Sequence, residues 1–207
     1  MSASGARVVV IDGGGANFHS VLSAFERLGV PASVSRDRGR IAEATHLVLP
    51  GVGAADAAMS RLRESGLDDF LPTTTQPLLG ICLGMQLLYE RSEEGDTACL
   101  GLLPGTVRRL RASPGRRVPH IGWNRLRTRG RDPLGAGLDG EHAYFVHGFA
   151  AATDAGATVA DCEHGDRFAA LVASGRLCGA QFHPERSAEA GARLLQNFLE
   201  RGAWTSK

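Results

Sequence analysis

The feature that most restricts the fold of this chain is a cysteine between two glycines at the end of an apolar run. The apolar pair 78–79 leads into Gly80-Ile81-Cys82-Leu83-Gly84, and two more leucines follow at 87–88. This spacing predicts a buried strand that ends near residue 81 and a helix that begins after the turn. A turn this sharp needs glycine neighbours, because side chains there would make the strand and the helix collide. The segment therefore predicts a strand-turn-helix elbow that exposes Cys82 at the carboxyl end of a sheet.

The chemistry of Cys82 depends on what this elbow places around its sulfur. The pattern is the G-x-nucleophile-x-G elbow of strand-turn-helix hydrolases, with sulfur in place of a serine oxygen. The start of a helix favours a thiolate, and the backbone N–H of Leu83 can face an oxygen on which negative charge develops. A buried structural cysteine between two glycines is the alternative interpretation. We expect Cys82 to be a nucleophile.

The first half of the chain alternates strand patterns with helical ones. Strands are expected at 8–11, 32–35, 47–49 and 78–81, and helices at 17–28, at 54–64 and from the elbow to about residue 91. Strands separated by helices predict a parallel sheet with helices on both faces. In such sheets ligands bind beyond the carboxyl ends of the strands, so the loop after residue 49 and Cys82 can face one another.

The second half changes to short strands separated by Gly, Pro and Asp turns. Strands at 106–111, 123–128, 143–146, 158–162, 168–172 and 178–182 indicate hairpins, and a helix at 187–200 closes the chain. We expect an α/β fold with an open, mostly parallel central sheet, helices on both faces and an antiparallel β extension. Because no linker or repeat is visible in the 207 residues, residues 1–207 are expected to form a single domain.

Composition and charge exclude several classes of function. The net charge is +1, and the arginine-rich stretch 108–131 has no interleaved aromatic residue apart from Trp123, so nucleic-acid binding is not expected. A solvated hairpin face is the favoured interpretation of that stretch, and part of a partner interface is the alternative. Neither a signal peptide nor a membrane span is visible, which predicts a cytoplasmic protein. The four cysteines form no C-x-x-C pair, which favours reduced thiols and argues against a zinc site.

A cysteine nucleophile needs a base and a group that orients the base. Among the seven histidines, His183 is distinguished because it follows an apolar strand and precedes Pro184 and Glu185. The proline restricts the backbone, so that Glu185 can accept from one imidazole nitrogen while the other faces the sulfur. A surface turn is the alternative interpretation. Beside the elbow, the pattern predicts a triad of Cys82, His183 and Glu185.

A third segment, Pro50-Gly51-Val52-Gly53, follows the expected strand 47–49. A plain strand-to-helix turn is one interpretation, because Gly and Pro commonly form such turns. An oxyanion loop is the other, since a peptide unit flanked by glycines can rotate and direct an N–H at a tetrahedral oxygen. The N–H of Leu83 would then be the second donor.

Residues 80–86, which read GICLGMQ, and residues 181–185, which read QFHPE, resemble the motifs of class I, triad-type glutamine amidotransferases. Within that superfamily, PGVG at 50–53, PHIGWN at 119–124 and YFVH at 144–147 are similar to the glutaminase subunit of imidazole glycerol phosphate synthase. The likeness extends from residue 8 to the final helix. It implies a flavodoxin-like α/β fold and no cofactor or metal.

The resemblance implies that Cys82 attacks the side-chain amide carbon of L-glutamine. His183 would take the thiol proton and later protonate the departing ammonia, and Glu185 would orient His183. Gln86 and the loop 51–53 would line the glutamine pocket, and water would hydrolyse the glutamyl thioester. The ammonia would pass to a (β/α)8-barrel cyclase subunit, in a heterodimer that makes imidazole glycerol phosphate and aminoimidazole carboxamide ribotide in histidine biosynthesis.

The resemblance also implies which residues face the cyclase: Asn17, His120, Trp123, Asn124 and Arg186. Arg186 stands where a lysine is frequent and keeps the positive charge. Three further positions depart from the pattern: Gly13 replaces an aromatic residue, Ala16 replaces a glycine, and Gly148 replaces Ser or Thr. We expect the isolated chain to be a poor glutaminase, since the Val52 peptide needs partner and ligand binding to present its N–H.

Two other functions remain open. A glutaminase subunit that feeds anthranilate, pyridoxal phosphate or guanylate synthesis would share the triad, although Val52 and the segment 119–124 argue against it. A cysteine peptidase or a non-catalytic scaffold could have the same elbow around Cys82.

Overall fold

The computed structural model describes residues 5–13, 18–112, 115–153 and 157–201. In chain order, the strands are β1 (Val8–Ile11), β2 (Ala32–Ser35), β3 (His46–Gly51), β4 (Leu78–Cys82), β5 (Tyr89–Ser92), β6 (Thr97–Ala98), β7 (Leu103–Arg109), β8 (His120–Arg125), β9 (Arg127–Thr128), β10 (His142–His147), β11 (Phe149–Ala151), β12 (Thr158–His164), β13 (Asp166–Ser174) and β14 (Leu177–Ala180). The α-helices are α1 (Phe18–Arg27), α2 (Arg38–Glu43), α3 (Ala55–Glu64), α4 (Leu67–Phe70), α5 (Leu83–Gln86) and α6 (Ala188–Arg201). Within the described ranges, no helix combines the length and the apolar content that crossing a membrane requires.

The largest sheet has eight strands in the order β2-β1-β3-β4-β14-β13-β12-β9. The first five run parallel, and β13, β12 and β9 continue the sheet in antiparallel pairs. The expected α/β class, with a mostly parallel sheet and an antiparallel extension, is confirmed. Gly51 lies opposite Cys82, and Ala180 lies opposite Ile81, so the carboxyl ends of β3, β4 and β14 lie side by side.

Helices cover both faces of this sheet because successive side chains of a strand point in opposite directions. Val10 of β1 belongs to the core that includes Phe25 of α1 and Phe198 of α6. The next residue, Ile11, belongs to the opposite core with Leu62 of α3. Burial on both faces explains why β1, residues 47–49 of β3 and β4 are continuously apolar and do not alternate.

Two smaller sheets extend the antiparallel part of the fold. One has the strand order β11-β7-β5-β6, and the other consists of the antiparallel pair β10 and β8. The backbone N–H of His183 donates to the carbonyl of Tyr144 in β10 at 3.0 Å. The two-stranded sheet therefore lies against the turn that follows β14.

The helix after the elbow is shorter than the sequence pattern predicts. α5 ends at Gln86, and residues 89–92 form β5, so the expected continuation to residue 91 is wrong. The carbonyl oxygen of Leu88 accepts from the N–H groups of Leu102 and Leu103, each at 2.8 Å. Leu87 and Leu88 can be buried in either a helix or a strand, so their spacing does not decide between the two. Pairing with β7 therefore determines the strand.

Several short elements were not predicted from the sequence pattern. The helices α2 and α4 and the strand β6 were not expected, although the Asp37 carboxylate caps α2 by accepting from the N–H of Arg40 at 2.9 Å. The expected strand 123–128 is divided between β8 and β9. The interruption is at the buried Leu126, whose N–H donates to the carbonyl of Glu141 at 2.8 Å.

The closing helix α6 holds the turn that carries His183. The Ser187 hydroxyl donates to the His183 carbonyl at 2.7 Å and accepts from the N–H of Tyr144 at 2.9 Å. Gly191 approaches the turn so closely that a Cβ atom would overlap with the carbonyl oxygen of Pro184. A glycine inside the helix therefore allows the helix and the turn to pack against each other.

We predict that Gly191→Ala lowers the free energy of unfolding by about 2 kcal/mol, because the new methyl group overlaps with the Pro184 carbonyl. Helix propensity alone would favour alanine here by about 1 kcal/mol. Urea unfolding followed by circular dichroism measures the change. Ala192→Gly, at an exposed position of the same helix, is the control and should cost about 1 kcal/mol. A Gly191→Ala chain that is more stable than the wild type would contradict the close approach.

Candidate active site

Cys82 is the last residue of β4 and has an unusual backbone conformation. Its φ of 54° and ψ of −111° lie outside the regions that L-residues commonly adopt. Such strain costs about 1–3 kcal/mol and persists only where the surrounding structure enforces it. The helix α5 begins at the next residue but has only four residues, so its dipole supports a negative sulfur less than a longer helix would.

The strain at Cys82 comes from backbones in direct contact. A Cβ atom at Gly80 would lie 2.6 Å from the carbonyl oxygen of Gly84, and a Cβ atom at Gly84 would overlap with the carbonyl oxygen of Leu49. A Cβ atom at Gly51 would lie 2.8 Å from the backbone nitrogen of Gly84. These positions require glycine for a steric reason, and they bring β3 and the elbow around Cys82 together.

The side chains of Cys82, His183 and Glu185 lie in a row. Nδ1 of His183 is 2.8 Å from Oε1 of Glu185, and the His183 ring interacts with Cys82, with which it lines one cavity. Glu185 lies in a 3₁₀ turn that begins at Pro184, where the fixed φ of proline suits the first helical position. The side chains of His183 and Glu185 are only 12% and 9% exposed.

The surroundings of His183 favour its protonated form. Burial by itself lowers the pKa of His183, but the hydrogen bonds with Cys82 and Glu185 and the negative charges of both groups raise it to about 10. Glu185 can accept from Nδ1, which leaves Nε2 for the sulfur. The imidazole is therefore suited to take and hold a proton from Cys82.

A cavity of about 180 Å³ opens at Cys82. It is lined by Val52, Gly53, Cys82, Leu83, Gln86, Glu94, Val146, His147, Gly148, Phe149 and His183. The expected loop 50–53 begins inside β3, which extends to Gly51, and Gly53 has a φ of 91° that favours glycine. The structure thus brings the expected oxyanion loop, Leu83 and Gln86 to the same cavity as the sulfur and the imidazole.

Glu94 and Gln181 are among the residues near Cys82 that were given no role from the sequence. Glu94 places a carboxylate on the cavity, and its Oε2 accepts from the N–H of Ala55 at 2.9 Å. Gln181 is fully buried, and its Nε2 lies 3.9 Å from Sγ of Cys82. A lone acidic residue in a loop carries no local signal, whereas a glutamine at the apolar end of a strand, two residues before His183, could have been recognised as a buried polar group.

The residues expected to face a partner are only partly on the surface. Trp123 is 54% exposed, and Arg186 is exposed as well. Trp123 lies on the same outward face of β8 as Ile121, and we refer to these two exposed side chains, together with the exposed Val52 and Val146, as the exposed apolar patch. In β8 and β10, Ile121 pairs with Val146, and Val52 shares the cavity with Val146. The fifth expected residue, Asn17, lies outside the described residues.

His120 is buried, which differs from the surface position expected for a partner contact. Because side chains alternate along β8, Ile121 and Trp123 point outward, whereas His120 and Asn124 point inward. His120 is only 4% exposed, and its Nδ1 lies 3.1 Å from Nε2 of His147. The half-buried Asn124 donates to the carbonyl of Glu163 at 2.9 Å.

The buried His120 and His147 are neutral at physiological pH. Burial, with a smaller effect of the charge of His164, lowers the pKa of His120 to about 4. Burial also lowers the pKa of His147 to about 3. Among the residues that the structure describes, no group of three or more His, Cys, Asp or Glu side chains could hold a metal ion.

The fold and this site define a glutamine amidotransferase. The family model described as glutamine amidotransferase class-I matches residues 9–201, and the chain belongs to that family. A solved structure described as "Crystal structure of glutamine amidotransferase" has the same fold, with a TM-score of 0.74 at 24% sequence identity. The match covers 95% of this chain and 98% of that chain. The resemblance expected from residues 80–86 and 181–185 is confirmed.

Within the class, the chain belongs to the HisH family of imidazole glycerol phosphate synthase subunits. It is 58% identical over 194 residues to "Imidazole glycerol phosphate synthase subunit HisH" of Xanthomonas euvesicatoria pv. vesicatoria (strain 85-10). The aligned region covers 93% of this chain and 96% of that protein. It is 55% identical over 197 residues to the protein of the same description from Xylella fastidiosa (strain Temecula1 / ATCC 700964), which covers 95% of this chain and 98% of that protein.

We predict that Glu185→Gln lowers the pKa of His183, because the mutant loses the carboxylate that stabilises the imidazolium. The raised pKa of His183 stabilises the fold below its ordinary value of 6.5, and this stabilisation is lost as the pH rises toward about 10. The loss of unfolding free energy in Glu185→Gln should therefore be larger at pH 6 than at pH 9, as measured by urea unfolding. A loss that is equal at both pH values would show that the ion pair does not set the His183 pKa.

Proposed function

We propose that this chain is the glutaminase subunit of an imidazole glycerol phosphate synthase. It hydrolyses L-glutamine to glutamate and ammonia and passes the ammonia to a cyclase subunit, which forms imidazole glycerol phosphate and aminoimidazole carboxamide ribotide in histidine biosynthesis. The observation that carries this proposal is the row of Cys82, His183 and Glu185 at the mouth of a cavity, in a chain 58% identical to a HisH protein.

In the proposed mechanism, Cys82 is the nucleophile and His183 the base. His183 takes the thiol proton, and the sulfur attacks the side-chain amide carbon of glutamine. The protonated His183 then gives its proton to the departing amine, so that ammonia leaves and a glutamyl thioester remains on Cys82. Water, activated by the now neutral His183, hydrolyses the thioester and restores the thiol. Glu185 holds the imidazole in orientation and stabilises its charged form.

Two backbone N–H groups are proposed to stabilise the tetrahedral oxygen. One belongs to Leu83, the residue directly after the nucleophile, and the other belongs to the loop of Gly51, Val52 and Gly53. The pairing of Gly51 with Cys82 supports this role, because it keeps the loop beside the sulfur. The conformational freedom of glycine on either side of Val52 allows the peptide to rotate toward the oxygen.

The cavity also offers groups that can bind the ends of glutamine. Glu94 presents a carboxylate for the α-ammonium group, since its Oε2 is held by the N–H of Ala55. Gln86 lines the same cavity, but both of its amide protons are used within the protein, so only its carbonyl oxygen is free to face the substrate. At Gly148 the cavity is lined by backbone alone, where Ser or Thr would present a hydroxyl group.

The cyclase subunit is proposed to bind over the exposed apolar patch. Patches of this kind mark protein interfaces, and an exposed tryptophan is a frequent hot spot. A second cavity of about 220 Å³ lies between the patch and the triad, lined by Ile81, Val52, Val146, His183 and Arg186 among others. Most of its wall is apolar, which suits the passage of neutral ammonia because ammonium would lose hydration there, and His183, Glu185 and Arg186 form the polar part of the wall. Arg186 at its rim offers a charge for an acidic residue of the partner.

We predict that Cys82→Ala abolishes glutamine-dependent synthesis but leaves ammonium-dependent synthesis intact. The mixture of Cys82→Ala chain, purified cyclase and ribotide substrate should lose product formation with glutamine by roughly 10³-fold or more, because no thioester can form. Ammonium chloride at alkaline pH should restore it. Glutamine turnover that survives in the mutant would overturn the assignment of Cys82.

We predict that Trp123→Asp and Ile121→Asp weaken the stimulation of glutamine hydrolysis by the cyclase and its ribotide. A charge buried in the apolar patch should raise the cyclase concentration needed for half-maximal stimulation about tenfold or more. Thr75→Asp is the matched control, because Thr75 is exposed before β4, at the opposite end of that strand from Cys82. Equal stimulation of all three variants would place the cyclase elsewhere.

A further inference from the structure

Gln181 is a buried amide beside the nucleophile, and its role is not explained by the triad. The residue has no exposed surface, and the hydrogen-bond partner of its Nε2 in the structure is Sγ of Cys82, at 3.9 Å. An amide donor of this kind is costly to bury unless it forms a favourable contact. The contact that it makes is with the atom that becomes negatively charged in the reaction.

The orientation of the Gln181 amide is determined by a backbone carbonyl. The oxygen of Phe149 can only accept, so the atom of Gln86 that lies 2.8 Å from it must be the Nε2 donor. The same Nε2 lies 3.0 Å from Gln181, which must therefore present its oxygen. The remaining amide group of Gln181, the Nε2 donor, is then directed at the sulfur. A flipped Gln181 would place two donors against each other.

We propose that Gln181 is a further catalytic residue, whose side-chain N–H stabilises the thiolate of Cys82, and that Gln86 and His147 are positioning residues that hold it. The inference rests on the proposed function only in taking Cys82 as the nucleophile. It adds a donor to the sulfur itself, which is separate from the donors to the substrate oxygen in the loop 50–53 and at Leu83.

The two polar groups that contact the sulfur favour different protonation states of Cys82. As a thiol, Cys82 can donate to the carbonyl oxygen of Val146, which lies 3.6 Å from Sγ. After His183 has taken the proton, that carbonyl faces a negative sulfur and repels it. The N–H of Gln181 attracts it instead, and hydrogen bonds to charged groups are stronger than those between neutral groups. Loss of the proton therefore draws the sulfur away from Val146 and toward Gln181.

His147 keeps the Phe149 carbonyl in place at the start of this chain of hydrogen bonds. Its Nδ1 lies 2.9 Å from the same oxygen that Gln86 uses, so Nδ1 carries the proton. Its Nε2 then accepts from Nδ1 of His120 at 3.1 Å. Because burial lowers the pKa of both histidines, they stay neutral and keep these donor and acceptor roles at physiological pH.

The test measures the reactivity of the sulfur without glutamine or cyclase. The full chain is treated with iodoacetamide, alkylation of Cys82 is followed by peptide mass spectrometry, and the rate is measured from pH 5 to pH 10. We expect Gln181→Leu to lower the rate at pH 7 about tenfold and to move the pH profile about one unit upward, because only the thiolate reacts. Gln181→Glu, which keeps the shape and the acceptor for Gln86, should lower the rate further, since a carboxylate then faces the sulfur.

The matched control is Gln76→Leu, which removes a glutamine whose amide donates to the Ala42 carbonyl at 2.7 Å, before β4 begins. Its profile should coincide with that of the wild type. The positioning role of His147 predicts that His147→Leu shifts the profile in the same direction as Gln181→Leu. His147→Asn, which restores a donor near the Phe149 carbonyl, should recover part of the shift.

An unchanged alkylation rate and pH profile in a folded Gln181→Leu or Gln181→Glu chain would overturn the proposal. If both variants unfold, the wild type labelled with ¹⁵N-glutamine decides the question. One buried side-chain amide should change its proton shift with the ionisation of the sulfur, and should not do so in Cys82→Ala. The absence of such a resonance would also overturn the proposal. Failure of the proposed function would appear differently, as glutamine turnover that survives Cys82→Ala.

Discussion

The site depends on how closely three pieces of backbone approach one another at the end of β4. The carbonyl of Leu49 occupies the space where a side chain of Gly84 would stand, and Gly80 has no room for a Cβ atom against Gly84. This contact enforces the left-handed φ of Cys82 and directs its sulfur out of the sheet. The same contact brings the loop after β3 beside the sulfur, so the proposed nucleophile and the proposed oxyanion donors share one steric cause.

The proposed base, His183, is held by a different set of interactions, and these come from the far end of the chain. β14 lies next to β4 in the sheet, which places His183 beside Cys82. The helix α6 then secures the turn through Ser187 and through the close approach of Gly191 to Pro184. Gln181, Gln86, His147 and His120 form a buried series of hydrogen bonds that links the sulfur to β8, the strand that carries Ile121 and Trp123. The site is therefore supported by packing and hydrogen bonds on every side, as preorganised catalysis requires.

Much of this arrangement could be predicted from the sequence where the signal is local. The strands at 8–11 and 32–35 and the helix of α3 follow from apolar spacing and from the glycines and prolines between them. The helix expected up to residue 91 was wrong, because Leu87 and Leu88 would be buried in either conformation and only the distant β7 decides between them. The position of His120 was not predictable for a similar reason. Its strand begins three residues earlier than the pattern indicated, and the alternation along β8 turns its side chain inward.

The sequence by itself determined the class of chemistry, because only glycine fits the elbow around Cys82 and because proline links His183 to Glu185 within three residues. It also determined the α/β architecture, since the alternation of strand and helix patterns is a local property. Only the tertiary structure decided which side chains surround the sulfur. Gln181, Glu94 and His147 reach the site through contacts between segments far apart in the chain, and no local spacing encodes such contacts.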